Sequence, residues 1–209
     1  MPTLRRMCLV TAAPLLLAAA GLVHPHGLSR ATAGEWAWLH IVLLPVFPLL
    51  VIGLLVPLWR RPGRDIAGIA TVVTWLAAFT YAAYYTGLDA VAGIAAGTAV
   101  EHAPEQVSLA SLKRPLFDTG DALGHAGTYA LIVAVLATAV ALAPRQRLRV
   151  LPGTAVLLVS GWSFIDSHIF WPQGVYTMLG FALGFALLNA FPSPATSSRP
   201  VSGRASGAG

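Results

Sequence analysis

Six histidines and eight acidic residues carry most of the chemistry open to this chain, and they are not scattered. His24 and His26 form a His-Pro-His step, and His40, His102, His125 and His168 follow at wide intervals. Imidazole is the commonest side-chain metal ligand and titrates near neutral pH. Carboxylates beside it can complete a metal shell or fix its tautomer from behind.

Several of these groups share helix faces. Asp121 and His125 are four residues apart, with Tyr129 one turn further on. Tyr81, Tyr85 and Asp89 make a similar stripe, and Trp162 and Asp166 make a third pair. Asp166 and His168 are about 200° apart on a regular helix and do not share a face. The preferred metal ligands are His40, His125 and His168, with Asp121 in support. Copper and zinc suit such a set, and haem suits two histidines on facing helices. Asp89 and Asp166 are the candidates for acid/base catalysis, because burial against apolar helices raises a carboxyl pKa. His24, His26 and His102 read as solvated loop residues, with His24 and His26 a nonspecific surface pair for a metal.

The elements that hold these groups follow from composition. The 209 residues are 56% hydrophobic and 10% charged. A soluble domain carries about 25% charge, so the difference must lie in long apolar spans. A span of about 20 apolar residues crosses a bilayer as a helix. Six such spans are present: 7–23, 36–59, 66–88, 122–142, 150–170 and 175–191. The third stays apolar as far as Val100. The expected fold is therefore all-α, a polytopic membrane helix bundle forming one domain over 1–191. Residues 192–209, rich in Ser, Pro, Gly and Ala, read as a disordered tail.

Charge sets the orientation. Arg5, Arg6, Arg60, Arg61, Arg64, Arg145, Arg147, Arg149, Arg199 and Arg204 fall on one side of the spans. Arg30, Lys113 and Arg114 fall on the other. Seven of the eight acidic residues join the second side, and only Asp65 joins the first. The positive-inside rule then puts both termini in the cytoplasm of a bacterial-type inner membrane. All six histidines lie in the outer half. The first span also has signal-peptide features, Arg5 and Arg6 before it and Ala18-Ala19-Ala20 within it. Its apolar length favours retention as a span.

Other residues shape the bundle. Pro45 and Pro48 should kink the second helix. Gly93 with Gly97, and Gly180 with Gly184, are spaced for close helix approach, within the chain or between two copies. Asp118 or Thr119 would cap the fourth helix.

Some functions are excluded. The basic residues make no continuous patch, so nucleic acid is not an expected partner. A single cysteine, Cys8, rules out an internal disulfide and any CxxC site. No HExxH, Walker or GxSxG pattern occurs. Three readings remain. They are a metal- or haem-binding protein with its site at the outer end, an enzyme acting on a lipid or isoprenoid, and an accessory subunit. The last would meet a membrane partner through the amphipathic outer loop 99–121.

Overall fold

The computed structural model describes residues 2–59 and 61–191. It is 83% helix, with no strand among the described residues. The expected tail and Arg60 lie outside that range. Helix α1 is Pro2–Val23, α2 is Ala33–Leu43 and α3 is Ile66–Leu88. Helix α4 is Leu109–Gln146, α5 is Val150–Ser167 and α6 is Gln173–Asn189.

Prolines break the second span as their chemistry requires. Pro lacks a backbone donor and crowds the preceding turn. After Leu43 the chain makes a turn at 44–46, then a 3₁₀ segment Phe47–Val51, one helical turn Ile52–Leu55 and a second 3₁₀ segment Val56–Leu58. At this break the buried Tyr81 hydroxyl donates to the Phe47 carbonyl, at 3.1 Å.

Two other elements run longer than their apolar spans suggest. Asp65 caps α3, its carboxylate accepting from the Gly68 amide at 2.8 Å. Beyond Leu88 the helix widens into a π-helical turn, Asp89–Ala95, and ends with Ala96–Glu101. Helix α4 starts at Leu109 instead of Ala122, with Ser108 at its N-cap position. Asp118 and Thr119 therefore sit inside the helix and cap nothing. Residues 109–121, expected as loop, are its first turns. Leu109, Leu112, Leu116 and Phe117 pack there against a cluster containing Leu28, Trp36 and Val100. The apolar side of that segment thus covers the chain's own core.

Helices α4 and α5 form an antiparallel hairpin about Arg147. A Cβ at Gly161 would meet Ile132 at 3.0 Å, and His125 faces Asp166. The most extensive packing pairs α3 with α4, α5 with α6, and α1 with α6. Both glycine pairs are used inside the chain. Gly93 meets His40 and Gly97 meets Ala37, while Gly180 meets Ser160 and Gly184 meets Leu157.

Four stretches are long and apolar enough to cross a membrane: Leu4–Val23, Ala33–Leu58, Ile66–Glu101 and Leu109–Ser167. The last contains the hairpin. The outward surface is apolar too, with Leu76, Phe79, Val159 and Trp162 among its exposed side chains. A contiguous apolar exterior of this kind suits a lipid environment.

Polar contacts tie one end of the bundle together. The Arg6 guanidinium donates to Asn189 Oδ1 at 2.9 Å, and Asn189 Nδ2 donates to the Gly53 carbonyl at 2.9 Å. Gln146 Nε2 donates to the Leu188 carbonyl at 3.2 Å. Arg61, Asp65 and Arg145 line one small cavity nearby. The start of α1, the turn before α3, the α4–α5 hairpin and the end of α6 thus meet at a basic end. The histidine-bearing segments meet at the opposite end.

Candidate metal centre

His24 follows the last turn of α1, His40 lies within α2, and His168 ends α5. Each has a ring nitrogen within 4.8 Å of one on each of the other two. His24 is 5% exposed and His40 3%. Aromatic rings enclose them. The Trp36 ring lies 4.9 Å from His24 and 5.1 Å from His40, Phe170 lies 4.6 Å from His24, and Phe47 lies 5.0 Å from His168.

In each imidazole Nδ1 is engaged. His24 Nδ1 donates to the Pro25 carbonyl at 2.8 Å, and His40 Nδ1 donates to the Trp36 carbonyl at 2.7 Å. A carbonyl can only accept, so both rings carry hydrogen on Nδ1 and leave a lone pair on Nε2. His168 Nδ1 shares a 2.7 Å hydrogen bond with the buried Tyr85 hydroxyl. The Nε2 atoms of His24 and His168 are sealed from solvent and have no hydrogen-bond partner. A buried polar atom without a partner costs free energy and is uncommon. Burial draws the His24 imidazole down to about 4, against the opposing effect of its bond to Pro25 and with smaller help from His40 and His26. Burial thus favours the neutral ring, which is the ligating form.

The supporting structure is specific. The indole of Trp36 donates to the Ala92 carbonyl, at 3.2 Å, within the π-helical turn of α3. Lys113 Nζ donates to the Leu28 carbonyl at 2.7 Å, and Arg30 donates to the carbonyls of Ala103 and Pro104. Together these bonds fasten the 24–32 segment over the histidines. His168 has a positive φ of 44°, strained for a residue with a Cβ. Apart from Arg147 in the hairpin, it is the one non-glycine residue so placed among the described residues.

The structure redistributes the residues singled out from sequence. His40 and His168 come together, but the third imidazole is His24, not His125. Helix α4 buries Gly120, Gly124, Gly127, Thr128 and Leu131. His125 follows Gly124 by about 100° and so sits on the flank of that face. Its Nε2 lies 3.9 Å from Asp166 Oδ1, with the Asp166 side chain 85% exposed. Asp121 and Asp166 line a neighbouring cavity of about 460 Å³, which His40, Tyr85, His125 and His168 also border. Asp121 has no place in the three-histidine group. Asp89 is fully buried in the π-helical turn after α3, whereas the Asp166 side chain is 85% exposed, so the two carboxyls lie in unlike environments. His26 and His102 are exposed, as expected, whereas His24 is not. His24 follows directly on the apolar run of α1. That position was the available signal that it enters the bundle at the depth of His40.

The Tyr85 contact makes a testable point. A hydrogen bond to the far nitrogen of a metal-ligating histidine fixes its orientation, and losing it costs about 10–100-fold in metal affinity. If the three imidazoles hold zinc, Tyr85→Phe should lower its affinity within that range and leave the helix content unchanged. Equilibrium competition with a chromogenic chelator and circular dichroism would measure the two effects.

Comparison with protein-family models, with curated proteins and with solved structures finds no match.

Proposed function

We propose that this is a multi-pass membrane protein that binds one transition-metal ion through Nε2 of His24, His40 and His168. The carrying observation is the convergence of three imidazoles within 4.8 Å, two with sealed and unpartnered Nε2 atoms. Zinc–imidazole bonds of about 2.0–2.1 Å require the rings to draw together by roughly an ångström. Rotation of side chains anchored at Nδ1 can supply that movement.

Zinc and copper fit this donor set, since imidazole suits both. A haem takes its axial donors from opposite faces of a plane, whereas three mutually close donors gather on one side of an ion. Three protein ligands leave a fourth position, as in sites that bind a water or a small molecule. The 460 Å³ cavity beside His40 and His168 gives that position room. The strained backbone at His168 supports the same reading, because such strain gathers at functional sites.

The proposed setting is a bacterial-type cell membrane crossed six times, with both termini in the cytoplasm. Seven described arginines at the basic end, against Arg30, Lys113 and Arg114 at the other, support this orientation. The metal would then sit near the outer surface. A reporter active only in the cytoplasm, fused after Gly209, should be active, and the same reporter inserted at Gly27 should be silent. The reverse pattern would invert the topology.

The metal assignment is tested by mass-spectrometric metal analysis of protein purified without a histidine tag. The expected result is about one zinc or copper per chain, or uptake of one zinc from a buffered solution. A folded protein that neither retains nor takes up either metal would overturn the proposal.

A further inference from the structure

Asp89 is fully buried, and neither of its carboxylate oxygens has a hydrogen-bond partner. Among the described residues no cation pairs with it. The described ion pairs are Arg114 with Asp118, both exposed, and the half-buried His125 with the exposed Asp166. An isolated buried carboxylate is costly, so the group stays protonated unless a positive charge is brought near it.

The placement of Asp89 indicates where that charge would be. It opens the π-helical turn of α3, and such turns occur frequently at functional sites. One turn before it, Tyr85 bonds His168. One turn after it, Gly93 lies so close to His40 that a Cβ there would fall on the ring. Asp89 therefore lies on the helix face that touches two of the three imidazoles, between the residues that touch them.

We infer that Asp89 is the counter-charge of the three-histidine site and biases it toward divalent over monovalent ions. The inference rests on the metal-binding reading above. Three neutral imidazoles leave the full charge of a dication in a low-dielectric interior. A bound ion would be the largest local charge there. A carboxylate on the helix face that carries Tyr85 and Gly93 offsets that charge without being a ligand, and the ion relieves the carboxylate in turn. A monovalent ion gains less from the same carboxylate, so the residue discriminates by charge. Asp89 acts here as a positioning and selectivity residue, with ligation left to the histidines.

The experiment titrates Zn²⁺ and Ag⁺ into detergent-solubilised protein. A Cys8→Ser background keeps the exposed thiol from binding silver. Asp89→Asn should weaken Zn²⁺ by about 10–100-fold and Ag⁺, with half the charge, by only about 3–10-fold. Asp89→Glu, which restores the charge, should recover much of the zinc affinity. Should the Asn variant not fold, Asp89→Ala gives a second neutral side chain with the same expected split. Equal loss of both ions would show a purely structural role and overturn the inference. So would unchanged zinc affinity. Failure of the underlying site would look different. The Cys8→Ser protein would then bind no zinc, or would bind it undiminished after His24→Ala, His40→Ala and His168→Ala.

Discussion

His40→Ala is expected to weaken zinc binding by more than about 100-fold, beyond the range typical of outer hydrogen-bond partners. His24→Ala and His168→Ala should have effects of the same size. Each removes one of three donors, and among the described residues no other histidine, cysteine or carboxylate joins the group. His125→Ala, His26→Ala and His102→Ala should leave affinity unchanged, because those side chains lie outside the cluster. This contrast carries more weight than any single loss. A general electrostatic attraction at the outer end would make all six replacements mildly harmful. Competition titrations on the six variants, with thermal unfolding of each metal-free protein as a control, would separate the two patterns.

The second large effect is structural. Gly93→Val should destabilise the bundle by about 1–3 kcal/mol and disrupt metal binding as well. A Cβ at Gly93 would fall on the His40 imidazole, and one at Gly97 would meet the Ala37 amide nitrogen at 2.9 Å. These two glycines let α2 lie directly on the end of α3. Replacing glycine in a helix ordinarily gains up to about 1 kcal/mol in intrinsic propensity. Here overpacking outweighs that gain, because the obstruction is a buried ring held at Nδ1 by the Trp36 carbonyl. Gly27→Ala is the matched control, with no atom within 4 Å of the added carbon. Unfolding of the metal-free variants in mild detergent measures the stability term, and zinc titration measures the coupling to the site.

Particular elements explain how much could be read in advance. Apolar length and charge asymmetry locate the helices because both are properties of single segments. The stripe of Tyr81, Tyr85 and Asp89 is likewise local, and all three residues are buried together. The proline break after Leu43 and the glycine contacts follow for the same reason. What escapes is the rotation of one helix against another. His125 shares a stripe with Asp121 and Tyr129, but the buried glycine face of α4 turns that stripe aside. The π-helical turn shifts the phase of α3 after Leu88, and no residue there signals it in advance. The polar start of α4 reads as loop because its apolar residues are sparse. They fold as helix once Trp36 and Val100 provide a surface to cover. His24 is the clearest case. Beside Pro25 and His26 it reads as a surface residue, and only its ring contacts with Trp36, His40 and Phe170 bring it inside.

X-ray absorption at the zinc edge, on zinc-loaded protein carrying no tag, tests the central claim most directly. The nearest shell should fit three imidazole nitrogens at about 2.0–2.1 Å plus one light atom, with the outer-shell scattering of histidine rings. That signal should vanish in the protein lacking His24, His40 and His168. A shell containing sulfur at about 2.3 Å would place the ion at Cys8 instead, and an oxygen-only shell would place it on surface carboxylates. Either result would contradict the three-histidine centre.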